Sequence, residues 1–144
     1  MLNLLALCLT CSMKDYAYSI LEILPTATAI IKHIPDSLNH ELIYVNPALT
    51  ALLGWVREDI PDKDAWWKRA YPDPDYQKVV ERQWELAMET ASASQYKHVM
   101  MDVNIMTKFG HVQRCRVYTE QPGTLIPGHY IVAFMPCEAE DCSK

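Results

Sequence analysis

Glycine and positive charge are both scarce in this sequence, and each shortage excludes a class of protein. Only 4 of the 144 residues are glycine, and no repeating period is present, so collagen-like and low-complexity chains are excluded. The 13 lysines and arginines are outnumbered by 18 acidic residues, and they form no basic run. Because nucleic-acid binding depends on lysine and arginine neutralising phosphates, we expect no nucleic-acid partner.

Long apolar runs are also missing. The longest, Leu2–Leu9, is interrupted by Asn3 and is far shorter than the roughly 18–20 residues that cross a bilayer. No lysine or arginine precedes it and no small-x-small site follows it, so it does not fit a secretory leader. We therefore expect a cytoplasmic protein in which residues 1–24 form a helical extension with an exposed apolar face, suited to a dimer contact.

The five cysteines leave two interpretations open. An odd number means that at least one is free or paired between chains, and without a leader we expect thiols in a reducing compartment. Cys8 and Cys11 form a C-x₂-C pair and Cys137 and Cys142 a C-x₄-C pair, which could hold zinc or an iron–sulfur centre if they met. The alternative, which we favour, is that they are small apolar side chains and that the protein holds no metal.

Catalytic motifs are absent as well. The sequence has no glycine-rich phosphate loop, no Gly-x-Ser-x-Gly elbow and no His-x₃-His pair. Asp62 and Asp64 lie in a proline-broken passage, while Asp73 and Asp75 flank the start of a long helix, where negative charge favours the helix dipole. Capping explains these carboxylates, so we expect no enzyme activity in this chain.

What the sequence does have is a strongly patterned, half-apolar chain of single-domain size. The spacing of apolar residues predicts the order β-β-α-α-α-β-β-β after a short helix over Asp15–Leu24. The predicted strands are Thr26–Ile34, Glu41–Asn46, Tyr96–Thr107, Val112–Glu120 and Tyr130–Met135. The predicted helices are Pro47–Gly54 and a helical region over Asp64–Ala91, in which Asp73–Ala91 is the longest helical segment. On the long helix, one broad apolar face is predicted from Tyr76, Val79, Val80, Trp84, Ala87, Met88 and Ala91.

Three passages in this order resemble a PAS domain of the bacterial sensory-box type found in sensor histidine kinases. Ile43–Trp55 is similar to the family's strand, Val-Asn, helix and Leu-Gly-aromatic passage. Trp66–Tyr76, followed by Trp84, is similar to its Trp…Tyr-Pro-Asp passage. Lys108-Phe109-Gly110 resembles its Lys-Asp-Gly hairpin, with Phe109 in place of aspartate. The resemblance covers roughly Tyr18–Pro136.

The resemblance implies an α+β fold with a five-stranded antiparallel sheet of order 2-1-5-4-3 and helices on one face. It implies a PAS domain over residues 25–137, followed by a tail over 138–144. It also implies a non-catalytic sensory or interaction module that dimerises, signals to an effector or kinase module in cis or in trans, and binds a small molecule between sheet and helices. The candidate ligand-binding residues are Asn46, Trp67, Val80, Trp84, Met88, Val103, Ile105 and Cys115, with Ile31, Val45, Leu53 and Val132 as further lining residues.

Two structural interpretations are alternatives to ligand binding at these residues. Asn46 is also a preferred helix N-cap and Pro47 a preferred first residue, and aromatic residues at helical spacing are usually core. The motif around the reactive thiol of flavin-binding PAS domains is missing, and the long helix has no histidine for haem, so neither cofactor is supported by motif. The alternative function is a small α+β enzyme or ligand carrier with a cone-shaped pocket, for which His98 and Asp102 would be the polar pair.

Overall fold

The computed structural model describes residues 18–93, 98–121, 123 and 126–137 of the chain. Residues 18–23 are helical and are called α1 here. The remaining elements are β1 (Ala27–Lys32), β2 (Glu41–Val45), α2 (Pro47–Leu53), α3 (Lys63–Ala70), α4 (Pro74–Ala93), β3 (His98–Met106), β4 (Val112–Glu120) and β5 (His129–Pro136). The predicted order of elements is confirmed.

One antiparallel sheet of five strands organises the chain, in the order β2-β1-β5-β4-β3. The last strand, β5, lies between β1 and β4, as the resemblance implied for this near-continuous apolar segment. The register of β1 against β2 shifts between Ile30 and Ile31. The predicted α+β class and strand order are therefore confirmed.

The alternation predicted for the strands determines which face of the sheet is buried. Val99, Val103 and Ile105 of β3 are buried together with Cys115 and Val117 of β4, on the face that packs against the helices. Met100 and Tyr118 are exposed on the opposite face. The sheet thus has an inner face that forms the core and an outer face that is partly apolar and uncovered by α2, α3 and α4.

Local signals in the sequence explain where the helices begin and end. Asn46 caps α2 through its side-chain oxygen, Pro47 is the first helical residue, and Gly54 ends the helix in the left-handed conformation at φ 82°. Asp62 caps α3 by accepting from the Ala65 N–H at 2.8 Å. Asp73 accepts from the Asp75 N–H at 3.0 Å at the start of α4, so its predicted capping role is confirmed.

The end of α2 is attached to the turn between β3 and β4. The Lys108 backbone N–H donates to the Leu53 carbonyl at 2.9 Å, and Trp55 Nε1 donates to the Met106 carbonyl at 3.1 Å. A Cβ on Gly54 would lie 2.8 Å from the Cβ of Lys108, so glycine is required here by both conformation and space. This contact holds α2 over the inner face of the sheet.

Some details of the elements differ from the sequence prediction. Strand β1 is shorter than predicted at both ends, and beyond its C-terminal residue Lys32 the His33 N–H makes one further backbone bond, to the Gly128 carbonyl. Val79 is 51% exposed because the buried stripe of α4 follows Tyr76, Val80 and Trp84 at four-residue spacing.

The predicted extension over residues 1–24 and the tail over residues 138–144 lie largely outside the described residues, so these domain boundaries remain predictions. Within the described ranges, no helix is both long enough and apolar enough to span a membrane.

Candidate functional site

A small apolar cavity lies between the inner face of the sheet and helices α3 and α4. Its volume is about 60 Å³, room for roughly four water-sized spheres at about 15 Å³ each. Its described lining residues are Ala29, Ile31, Leu42, Leu49, Ile60, Lys63, Trp66, Trp67, Tyr71, Val80, Trp84, Met101, Val117, Tyr130, Val132 and Phe134. A molecule of a few heavy atoms would fit, whereas pockets for drug-sized ligands are typically about 300–1,000 Å³.

Aromatic side chains from α3 explain why the cavity is small. The Trp66 ring lies 5.3 Å from that of Phe134, and the Trp67 ring lies 5.1 Å from that of Tyr71, centroid to centroid. Tyr71 is buried and also contacts the Tyr76 ring at 6.2 Å. These edge-on and tilted contacts fill the volume under α3 and α4 that would otherwise be open.

An open cleft lies on the other side of the cavity wall, between α3 and α4 at the surface. Its volume is about 540 Å³, and its lining is much more polar, with Asp64, Lys68, Glu81 and Glu85 among its residues. Lys63, Trp67 and Trp84 line both the cavity and the cleft. These three residues therefore form part of the wall between the cavity and the cleft.

Lys63 is the one charged residue among the described residues that line the cavity. It is the first residue of α3, directly after the Asp62 cap, so its position is set by the helix start. Burial lowers the pKa of its ammonium group, while the nearby charges of Asp64 and Glu81 act in the opposite direction. No carboxylate of the described chain lies within ion-pair distance of its nitrogen.

A second polar group of the cavity, the Tyr130 hydroxyl, is hydrogen-bonded to His40. His40 Nδ1 lies 2.8 Å from the Tyr130 oxygen, and His40 Nε2 lies 3.1 Å from the Ser37 carbonyl. Because a carbonyl only accepts, Nε2 carries a proton, and in neutral His40 the Tyr130 hydroxyl donates to Nδ1. Burial, the Lys63 charge and His33 lower the pKa of His40, which favours this neutral form.

The predicted ligand-binding residues separate into two groups. Trp67, Val80 and Trp84 line the cavity, and Met88 lines the outer cleft. Ile31 and Val132, predicted as further lining residues, also line the cavity. The predicted residues that meet around the cavity are therefore those of α3, α4 and the neighbouring strands β1 and β5.

The second group lies in the core without lining the cavity. Val103, Ile105, Cys115 and Leu53 are fully buried members of the hydrophobic cluster, and Val45 packs against it. Burial raises the pKa of the Cys115 thiol to about 12, so it stays protonated at neutral pH and is a poor nucleophile.

Asn46 makes the contacts of a structural residue. Its side-chain oxygen accepts from the Thr28 and Leu49 N–H groups at 2.8 and 3.0 Å. Its side-chain nitrogen donates to the Leu21 and Thr26 carbonyls, each at 2.9 Å. All four hydrogen bonds that an asparagine amide can make are therefore used to join α1, β1 and α2.

Two polar residues of the cavity were not predicted from the sequence. Lys63 lies at a proline-broken helix start, where a lysine normally faces solvent, and Tyr130 was counted only as an apolar member of β5. The alternation of β5 does place Tyr130 on the same face as Val132 and Phe134, so this signal was available in the sequence. Nothing local distinguishes Lys63 from exposed lysines such as Lys68.

The hypothesised polar pair of an enzyme pocket does not reach the cavity. Asp102 pairs with Arg116 at 2.8 Å on the outer face of the sheet, and His98 pairs with Glu120 across β3 and β4. Neither Asp102 nor His98 lines the cavity. This arrangement gives the enzyme alternative no proton-transfer pair at these two positions.

The cysteine hypothesis is only partly within the described residues. Cys8, Cys11 and Cys142 lie outside them, and among the described residues no cluster of three potential metal ligands is present. Cys137 is disulfide-bonded, so the expectation of thiols is wrong for this residue. A sulfur in a disulfide offers no thiolate to a metal.

Comparison with known proteins supports the fold. No family model and no curated protein matches this sequence. A PAS domain from a two-component sensor histidine kinase matches 89% of this chain and 99% of its own, with 11% identity and a TM-score of 0.62. The PAS domain of a LuxR-family transcriptional regulator from Burkholderia thailandensis, solved in complex with ethanol, matches 85% of this chain and 97% of its own. The identity is 16% and the TM-score is 0.60.

An RNA-binding light-oxygen-voltage receptor matches 88% of this chain at 15% identity and a TM-score of 0.61, but this chain spans only 33% of that receptor. The fold is that of the PAS and light-oxygen-voltage domains, and the resemblance predicted from the sequence is confirmed at that level. Identities of this size define a shared architecture and no shared ligand.

Proposed function

We propose that this chain is a non-catalytic sensory module that binds a molecule of a few heavy atoms in the cavity and dimerises. The observation that carries the proposal is the apolar cavity between the PAS-type sheet and α3 and α4. The ethanol complex of the LuxR-family PAS domain supports it, because that domain has the same architecture. Trp67, Val80 and Trp84 are proposed to contact the ligand.

A flavin is the competing ligand, since light-oxygen-voltage domains are among the matched structures. The cavity of about 60 Å³ is much too small for it, and Trp66, Trp67 and Tyr71 would have to leave their packed positions. We therefore propose a small ligand and not a flavin. Haem is disfavoured on the same grounds of volume.

Native mass spectrometry combined with an absorbance spectrum tests the ligand proposal. We expect no flavin or haem absorbance, and either an unmodified mass or a small additional mass that is lost in Trp84→Ala. A yellow protein with a flavin mass would overturn the proposal and make the aromatic residues of α3 a mobile part of the site.

Dimerisation is proposed to use the outer face of the sheet. Met100, Tyr118 and Met135 expose 57, 41 and 43% of their surface there. Helix α1 lies at the same side, held by the Asn46 bond to Leu21 and by the Tyr44 hydroxyl donating to Glu22. Such a cluster of exposed apolar side chains is typical of a protein contact surface.

Light scattering coupled to size exclusion tests the dimer. We expect a dimer for the native chain and a monomer for Tyr118→Glu, because the charge would be placed on the proposed interface. Val79→Glu is the control, since Val79 is also half exposed but lies on α4. A native monomer at high concentration would contradict this part of the proposal. The output, to a kinase or other effector in cis or in trans, is proposed from the fold alone.

A further inference from the structure

The polar groups around the cavity are mainly hydrogen-bond donors. Of its sixteen described lining residues, Lys63, Trp66, Trp67, Trp84, Tyr71 and Tyr130 carry N–H or O–H donors. No Asp, Glu, Asn, Gln, Ser, Thr or His side chain is among them. Indole and ammonium groups donate and cannot accept, whereas the Tyr130 hydroxyl already donates to His40. The groups of the lining that only donate are therefore the Lys63 ammonium and the three indoles.

Lys63 gives this donor-rich lining a positive charge. Lys63 is partly buried, it lines the cavity together with apolar and aromatic residues, and no carboxylate of the described chain is within 4 Å of its nitrogen. A partly desolvated charge without a close partner is unfavourable, and a hydrogen-bonded anion relieves the penalty. The two carboxylates whose charges raise the pKa of Lys63 are those of Asp64 and Glu81, and both residues line the outer cleft.

We infer that the cavity selects a small monocarboxylate with an apolar tail, whose carboxylate meets Lys63 while its tail fills the space beside Val80 and Val132. This inference rests on the proposed function, because it names the class of ligand for the same cavity. The volume of about 60 Å³, room for roughly four separate water-sized spheres, limits the guest to a few covalently linked heavy atoms. A doubly charged anion is not expected, since Lys63 is the one cation among the described lining residues.

The competing ligand classes are separated by molecules of equal size. Propionate, propionamide and isobutanol each have five heavy atoms and differ in charge and polarity. Each is titrated into the full chain at pH 7 while the indole N–H signals are followed by NMR. Trp67 and Trp84 line the cavity, and Trp55 does not, so Trp55 is the internal reference.

Lys63→Met and Lys68→Met are the matched variants. Both remove one charge from α3 and both positions line the outer cleft, but only Lys63 lines the cavity. We expect propionate to bind the native chain at least tenfold more tightly than propionamide, and to shift the Trp67 and Trp84 signals but not that of Trp55. The preference should disappear in Lys63→Met and persist in Lys68→Met.

Three outcomes would contradict the inference, and they are distinguishable from one another. If isobutanol and propionamide shift the Trp67 and Trp84 signals as strongly as propionate, the cavity is a ligand site but the carboxylate inference is overturned. If none of the three molecules shifts those signals at tens of millimolar, the cavity binds no small ligand of this size, and the proposed function falls together with the inference. A preference for propionate that survives in Lys63→Met would assign the charge effect to another cation.

Discussion

Asn46 and Lys63 are two polar residues at helix starts, and they differ in how their hydrogen-bonding capacity is used. Asn46 is fully buried, and all four of its side-chain bonds go to backbone groups of α1, β1 and α2. Lys63 is partly buried beside the cavity, and no carboxylate of the described chain pairs with it. A buried polar group whose partners are all protein atoms stabilises the fold, whereas one without partners is available to a ligand.

The comparison predicts its largest effect at Asn46. Asn46→Ala removes four hydrogen bonds and leaves buried N–H and carbonyl groups unpaired, so the free energy of unfolding should fall by about 3–5 kcal/mol. Urea denaturation followed by tryptophan fluorescence measures the change. Asn39→Ala is the control, because Asn39 also accepts from a helix N–H but is exposed at that contact. A loss of unfolding free energy below about 1 kcal/mol in Asn46→Ala would contradict the conclusion that the four hydrogen bonds of Asn46 stabilise the fold.

A smaller effect is expected at Val80, which lines the cavity and is 1% exposed. Val80→Ala should cost about 2 kcal/mol, because the removed methyl groups enlarge a cavity that the aromatic rings do not refill. Val79→Ala is the adjacent control, half exposed on the same helix, and should change stability by less than about 0.5 kcal/mol. Equal losses at the two positions would mean that the buried stripe of α4 is misplaced.

The third effect is a pH dependence from His40. Its pKa is lowered in the folded protein, so between that pKa and about 6.5 the unfolded chain binds more protons than the folded chain. Stability should therefore fall as the pH drops below about 6.5. His40→Gln should flatten the curve in this range, which urea denaturation at a series of pH values measures.

Glu120 has a raised pKa and contributes the opposite slope at acidic pH, so the comparison is made as a difference between native and variant unfolding curves. Identical pH curves for the native chain and His40→Gln would show that burial and the nearby Lys63 charge do not favour the neutral imidazole.

The smallest effect on stability is expected at Lys63. Lys63→Met keeps the apolar stem and removes a partly desolvated charge, so the unfolding free energy should stay within about 0.5 kcal/mol of native, with any change towards stabilisation. The thermal midpoint compared with Lys68→Met measures this. A large loss at Lys63 alone would show that its ammonium group has an essential partner in the protein.

The sequence predicted the architecture because its strongest signals are periodic and cover whole elements. Alternation in β3 and β4, the apolar run of β5 and the Asn-Pro…Gly limits of α2 all agree with the observed sheet and helix. Each signal involves several residues, so a single unusual residue such as Phe109 in the hairpin does not change the predicted fold.

The candidate site was less predictable, because it depends on which residues from separate elements meet. Val80 and Val103 are both apolar and buried, yet only Val80 lines the cavity. The position of Lys63 depends on the residue before β2, because the Lys63 N–H donates to the His40 carbonyl at 2.8 Å. No local pattern in the sequence contains that information.

The strand order has a consequence for how the chain acquires its structure during synthesis. Strand β5 separates the β1–β2 pair from the β3–β4 pair, and Ala27 pairs with Phe134, which is more than a hundred residues later in the chain. Until β5 has left the ribosome, the nascent chain has two hairpins with no strand between them and no continuous inner face for the helices to cover. Closing so long a loop is slow, and the unpaired edges of β1 and β4 are open to other chains in the meantime. The interval before the last strand is completed is therefore the period in which this protein is most exposed to misassembly.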